Sequence, residues 1–500
     1  MKFLHRVTTQ DGFVDLHNHT NRSYSYKEIE HIYLTPCSYL YEVKEYVEKF
    51  GKPVAFSITD HNNVQANIEI MGHMRKNPDK FPNITYIPGC EWTVGTSSLG
   101  SCYDANGNEQ SIIEGNRLHL LSYGMNPFDP DIQYLALLRN DTPEYSVRIK
   151  LDDPKYKDRV DEDGTYPIKF GCIVYTARKW LENRGIKIDL FEFREGSKII
   201  PTDFYGTVAS VIDFVKNKYN LDEKDFEDLK AFVLTNDNLI DNSRPDIMEV
   251  MSVIEKAGGY SVLAHPGLVK PSQTLQAIAR GEINDPRNKQ WEDIAWDNKT
   301  YAKLKDESSK KDIEGMQKFY NYIYKELIEN AKHPITGEKV HGIIGHELFH
   351  TANQKTPYLF KAILNAGDNF GLYCTAGSDS HGYCYKYVIP SRIVGSDVAK
   401  AEPNYDSLTS YYCAVDAQFV SDYVEAKKTG KKLDRIPGMT ADSQIKVLKT
   451  NEGEKTYYTP SEFADVVFDA FENKRMYEKR IEERKAIEKA NNPPPEQSAA

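Results

Sequence analysis

His17 and His19 stand two residues apart in the run Gly12-Phe13-Val14-Asp15-Leu16-His17-Asn18-His19, whose alternation places Asp15, His17 and His19 on one face of a strand. Two imidazoles so spaced can grip one divalent ion, because imidazole nitrogen and carboxylate oxygen are natural ligands of Zn²⁺, Mn²⁺ and Fe²⁺. The spacing recurs at Asp379 and His381, in Gly377-Ser378-Asp379-Ser380-His381-Gly382. Between these pairs, further strand-like runs carry potential ligands. Lys52 to Thr59 leads to Asp60-His61, Ile84 to Cys90 to Glu91, Leu118 to Tyr123 carries His119, and Tyr260 to Ala264 leads to His265. The candidate ligands are therefore His17, His19, His61, Glu91, His119, His265, Asp379 and His381. Such a set predicts more than one ion, since a single catalytic zinc uses about three protein ligands. Taken alone, His119 or His265 reads more readily as a hydrogen-bonded structural residue; the two pairs and the recurrence carry the metal reading. His5, His31, His73, His333, His341 and His346 lack such company and read as surface or core residues.

The elements that must position these residues follow from their spacing. His19, His61, Glu91 and His119 are separated by 42, 30 and 28 residues, and a strand-helix-strand unit takes roughly 30 or more. One ligand per unit at strand ends is how a βα barrel builds its active face. His265 comes 146 residues after His119, which predicts an inserted domain. Inside it, 177–185 reads as a short helix stopped by Gly185, and 208–233 as helical. Ile247, Met248, Val250, Met251 and Ile254 then recur at helical spacing up to Gly258-Gly259, so that the next strand delivers His265. A last βα step runs from Phe370 to Ala376. The expected architecture is α/β: barrel at 11–125, inserted helical cap at 126–245, barrel again at 246–395, a C-terminal extension at 396–490 and a disordered tail at 491–500. The charged stretch Glu472 to Lys489 reads as a solvated helix, with a protein partner at this extension as the alternative.

Composition narrows the class. Of 500 residues, 40% are apolar and 27% charged, enough for a sizeable core in two or three domains. Seven cysteines without a Cys-x-x-Cys pair argue against a disulfide framework or a thiolate zinc site. A net charge of −11 argues against stable binding to duplex DNA or anionic membrane. No apolar run approaches the roughly 20 residues that span a bilayer, and the N-terminus lacks a signal-peptide core, so a cytoplasmic location is expected. A small phosphorylated substrate held by metal ions is compatible with all of this.

Six segments together resemble the motifs of the polymerase and histidinol phosphatase (PHP) family: Asp15-Leu16-His17-Asn18-His19-Thr20, Thr59-Asp60-His61-Asn62, Pro88-Gly89-Cys90-Glu91, His119-Leu120-Leu121-Ser122-Tyr123-Gly124, Leu263-Ala264-His265-Pro266-Gly267 and Gly377 to Gly382. The resemblance covers about 11–395. It implies a distorted seven-stranded βα barrel (the PHP fold) and phosphoester hydrolysis with two or three divalent ions. Within the family the chain is most similar to the branch that hydrolyses nucleoside 3′,5′-bisphosphates and trims RNA from its 5′ end. That likeness rests on Arg178 to Ile186 and, more fully, on Val253 to Pro266. Carried over, it implies that His17, His19, Glu91 and Asp379 hold one ion, that Glu91 bridges to a second on His119 and His265, and that His61 and His381 hold a third. The chain departs from the pattern at Tyr24 and Ser25, where the family has an Asp or His, leaving water or Asp60 to complete the third site. It departs again at Pro201-Thr202-Asp203-Phe204-Tyr205, where the branch has an arginine-centred motif.

The reaction so implied is attack of a metal-bridging hydroxide on phosphorus, with His61, His381 or His350 protonating the leaving group. His350 is also a candidate substrate contact, as are Arg22, Arg117 and Lys270, which adjoin motifs and could grip a second phosphate. Nucleotides or short oligonucleotide ends are the expected substrates. Histidinol phosphate, amide hydrolysis and a catalytically decayed binding or regulatory module are the alternatives.

Overall fold

The computed structural model describes residues 13–23, 35–50, 54–139, 146–150, 154–156, 164–199, 203–235, 244–294, 310–350, 357–377, 379–381, 447–450 and 453–456. The first motif is broken in two: β1 (Phe13–Asp15) and β2 (Asn18–His19) flank Leu16 and His17 instead of forming one strand. The chain then continues through α1 (Pro36–Phe50), β3 (Val54–Phe56), α2 (Gln65–Lys76) and β4 (Ile84–Tyr86). Strands β1, β3 and β4 pair in parallel in that order, with α1 and α2 in the crossovers that parallel pairing requires. Tyr39, Leu40 and Val43 of α1 and Ala66, Ile70 and Met74 of α2 recur at helical spacing and join Phe56, Ile84 and Tyr86 in one buried cluster.

The next connection has a different character. Between β5 (Gly89–Gly95) and β8 (Arg117–Tyr123) lies an antiparallel pair, β6 (Ser101–Tyr103) and β7 (Glu109–Ser111), where the spacing predicts a crossover helix. Without a crossover the chain returns antiparallel, and β8 pairs along β5 with Glu91 opposite Leu121 and Thr93 opposite His119.

Residues from 130 to 233 build a second apolar cluster. Its elements are α3 (Pro130–Arg139), the antiparallel pair β9 (Ser146–Lys150) and β10 (Thr165–Lys169), α4 (Phe170–Glu182), α5 (Leu190–Gly196), α6 (Phe204–Tyr219) and α7 (Glu223–Val233). This segment, where the sequence predicts a helical cap, thus carries a strand pair as well as helices. The helix expected over 208–233 is two: Asn220 closes α6 in the left-handed region (φ 50°), and the Asp222 side chain caps α7. α8 (Ile247–Lys256) opens with a reciprocal cap between Asp246 and Glu249. It is followed by Gly258 at φ 81°.

Then come β11 (Tyr260–Leu263), α9 (Gln273–Ala279), α10 (Lys310–Ile328), β12 (Ile343–Phe349), α11 (Pro357–Asn369), β13 (Tyr373–Ala376) and β14 (Ser380–His381). Five strands form one mixed sheet in the order β13-β12-β11-β8-β5. β14 pairs in parallel with β2, His381 opposite His19, so the last motif is laid against the first. The pairing among the described residues is mixed α/β and does not show the expected closed seven-stranded barrel. Among the described residues there is a three-stranded parallel sheet, a five-stranded mixed sheet and smaller pairs, because the step from β5 to β8 lacks the helix that a barrel repeat needs. Of the region 396–490, the hairpin of β15 (Val447–Thr450) and β16 (Gly453–Thr456) is described; the charged stretch and the tail lie outside the described residues. No described helix is long and apolar enough to cross a membrane.

Candidate metal centre

Glu91 is fully buried in β5 and five histidines surround it. His119 lies two residues out of register on the antiparallel neighbour, the diagonal position from which a long side chain reaches across. Its Nδ1 is 2.7 Å from Glu91 Oε1. His265 follows β11, which pairs with the other edge of β8, and its Nε2 is 2.9 Å from the same oxygen and 3.2 Å from His119 Nδ1. On the other carboxylate oxygen, Oε2, converge His61 Nδ1 at 2.9 Å, His17 Nε2 at 3.1 Å and His19 Nε2 at 3.3 Å. Asp379 completes the ring, with Oδ1 at 3.1 Å from His19 Nε2 and 3.4 Å from His17 Nε2.

Two donor groups result: His17, His19, Glu91 and Asp379, and His61, Glu91 and His119. His61, which the resemblance assigns to a third site, here shares Glu91 with His119. Asp60 does not offer itself to an ion: its oxygens accept from the Thr20 amide at 2.6 Å and the Thr20 hydroxyl at 2.8 Å, tying the second motif to the first. His381 lies in β14, but its side chain, like Tyr24 and Ser25, is outside the described residues.

The loops that hold these side chains are locked by polar contacts between segments far apart in sequence. The Asp379 amide donates to the His17 carbonyl, and the Asn62 amide to that of Glu91. Two ligand positions sit at positive φ, His265 at 24° and Asp379 at 52°. Non-glycine residues hold such backbone only where the surroundings over-determine it. Gly377 is required beside them, since a β-carbon there would stand 2.1 Å from the His17 β-carbon.

The electrostatics follow from burial. Desolvation pushes Glu91 up, yet the imidazoles of His61, His17 and His119 overcome it and hold the carboxyl well below the usual range. Desolvation likewise opposes charging of His17, but Glu347, Glu91 and Asp379 raise it well above an ordinary imidazole. In His119 burial wins and the ring is lowered to about 4. Asp60 is pushed up to about 6 by burial, against the pull of His19 and the Thr20 hydrogen bonds. This is a site built to share positive charge among nitrogens and carboxylates at close quarters.

The donors fit a divalent ion. At metal–ligand distances of about 2.0–2.2 Å, tetrahedrally placed ligand atoms stand roughly 3.3–3.6 Å apart. The nitrogens of His17 and His19 lie 3.1–3.4 Å from the oxygens of Glu91 and Asp379.

Two residues at the centre are not among the sequence candidates. Glu347 of β12 is fully buried, its Oε1 accepting from His17 Nδ1–H at 2.9 Å and its Oε2 from the His265 amide at 2.8 Å. A carboxylate in the apolar run Ile343 to Phe349 was the available signal. Arg244 is the other. With Arg117, Lys270, Glu114, Leu118 and Leu268 it lines a cavity of about 450 Å³ whose wall includes His119 and His265. The sequence candidates Arg117 and Lys270 are thus at the cavity, whereas Arg22 is directed to Glu69, Nε to Oε1 at 2.8 Å. His350 is buried, with Nε2 3.4 Å from Asp379 Oδ2. His346 is a buried core residue receiving the Tyr324 hydroxyl, and burial lowers it to about 3.

No protein-family profile matches the chain, and no curated protein does. Among solved structures it is similar to an amidohydrolase from Chromobacterium violaceum with bound sulfate and no metal, at a TM-score of 0.31 and 14% identity over 74% of this chain and 88% of that one. It is likewise similar to a Bifidobacterium adolescentis protein described as a metal-dependent phosphoesterase, at a TM-score of 0.31 and 15% identity over 81% and 98%. Likenesses of this size leave the functional reading to the site itself.

Proposed function

We propose that this protein is a metal-dependent phosphoester hydrolase of the PHP type. The observation that carries the reading is the convergence of His17, His19, His61, His119, His265 and Asp379 on one buried carboxylate, Glu91, beside a cavity whose wall holds Arg117, Arg244 and Lys270. Divalent ions bound there supply a nucleophile from water at neutral pH and neutralise developing charge on phosphate oxygens. The chain's own contribution is to hold the donors in place, keep them dry on the buried side, and present cations where a substrate's phosphate enters. Net charge makes this division necessary, because a chain at −11 attracts phosphate only through local positive groups. We assign the proton for the leaving oxygen to His350, which lies beside Asp379 and the ring of His265.

A phosphomonoester on a nucleotide or a short oligonucleotide end suits the cavity, which has the volume for a group of that size and apolar walls at Leu118 and Leu268. The test is phosphate release from nucleoside bisphosphates, mononucleotides, 5′-phosphorylated oligoribonucleotides and histidinol phosphate with Mn²⁺, comparing wild type with Asp379→Ala. Release abolished by the substitution supports the proposal. A wild type that binds Mn²⁺ and releases phosphate from none of them refutes it.

A further inference from the structure

We infer that Glu347 is a positioning residue: its carboxylate decides which nitrogen of His17 faces the donor cluster, and holds the backbone of His265 in its left-handed turn. The inference rests on the metal reading above. Glu347 lies within β12, between β11 and β13, so its backbone is held on both sides. Its side chain spans two ligands 248 residues apart in sequence, accepting from His17 Nδ1 at 2.9 Å and from the His265 amide at 2.8 Å.

The consequence is a matter of hydrogen inventory. A carboxylate only accepts, so His17 Nδ1 carries a proton, and in the neutral ring, the form that can hold an ion, Nε2 is left with a lone pair. That lone pair faces Glu91 Oε2 at 3.1 Å and Asp379 Oδ1 at 3.4 Å, two acceptors with which it can share a cation but no proton of its own. At the other end, the hydrogen bond to the His265 amide fixes a residue whose φ of 24° is costly for any side chain. One residue thus orients a ligand in each half of the centre. The space for it is reserved by Gly377, where a β-carbon would lie 2.4 Å from Glu347 Oε1.

Glutamine at 347 keeps the shape but offers one acceptor and one donor. With its amide nitrogen toward His17, the ring must adopt the opposite tautomer and Nε2 is protonated; turned the other way, two donors face each other at His265. The experiment is Mn²⁺ binding to the metal-stripped full-length protein by calorimetry, with the melting temperature of each stripped variant measured alongside. The proteins are wild type, Glu347→Gln, His17→Ala and the double variant. Glu347→Gln is expected to weaken Mn²⁺ binding about 10- to 100-fold, and the double variant to lose less than the product of the two single losses, because the part that acts through His17 is already gone in His17→Ala and only the part through the His265 amide remains. Affinity of Glu347→Gln within twofold of wild type would overturn the inference, as would losses that multiply in the double variant, the mark of an independent structural role. Should Glu347→Gln not fold, Glu347→Asp keeps the charge but is one methylene too short to reach both partners, and wild-type affinity there is equally fatal. A wild type that takes up no Mn²⁺ refutes the metal reading itself, and the inference with it.

Discussion

Replacing Gly377 by alanine is the most local perturbation that the site can receive without touching a ligand. The added carbon would stand 2.1 Å from the His17 β-carbon, 2.4 Å from Glu347 Oε1 and 3.1 Å from the His17 α-carbon. The first contact is more than an ångström short of ordinary van der Waals separation, and two of the three atoms belong to or adjoin the backbone, where no rotamer change can relieve them. His17 cannot withdraw freely, since its carbonyl accepts from the Asp379 amide and its ring is held by Glu347. Overpacking of this kind costs about 1–3 kcal/mol. Part of the relief must come from displacing His17 and Glu347, so stability and metal affinity should fall together. Gly72 in α2 provides the control: nothing lies within 4 Å of the position that an alanine β-carbon would take there, and the substitution should stabilise by about 0.5–1 kcal/mol. Thermal melting of metal-stripped protein and Mn²⁺ titration of both variants are the assays. A Gly377→Ala protein that melts and binds Mn²⁺ like wild type would refute the packing described around His17.

Removal of metal by a chelator should lower the melting temperature, and Mn²⁺ or Zn²⁺ at one hundred times its Kd should restore about 2.7 kcal/mol; a melting temperature indifferent to both would contradict a built metal centre. Arg244→Ala and Lys270→Ala should each raise KM for a phosphorylated substrate about tenfold or more, the worth of a charge-assisted hydrogen bond, while Arg22→Ala leaves it unchanged because that guanidinium serves Glu69. Equal effects from all three would remove the cavity from the account. Burial pushes Glu249 up to about 7 against the opposing pull of Arg178. Its folded form therefore holds a proton more tightly than the unfolded chain, and the associated stability, present below about 4.5, is lost as pH rises to about 7. Glu249→Gln should accordingly gain melting temperature relative to wild type between pH 5 and pH 7.5; a constant difference across that range would show the carboxyl to be ionised throughout.

Much of the site was legible in the chain because its information is local. Two ligands spaced by two residues, a glycine-bounded turn before Asp379, and helical periodicity ending at Gly258 each depend on neighbours within a few positions. The side chains of His17, His19, His61, Glu91, His119, His265 and Asp379 do meet. What spacing alone could not supply was the route between them. The 28 residues from Glu91 to His119 have the length of a strand-helix-strand unit. They contain instead the β6–β7 hairpin, and the direction of β8 was decided by what it pairs with. Glu347 offered only a carboxylate in an apolar run and Arg244 only an arginine before a helix, and both are ordinary until the fold closes. Glu347 acquires its meaning from a histidine 330 positions away. Ligand type and short spacing are properties of adjacent residues, so the chemistry available to the chain can be read along it. Which carboxylate is shared, which histidine is oriented and which cations face the cavity depend on burial, and burial belongs to the folded chain as a whole.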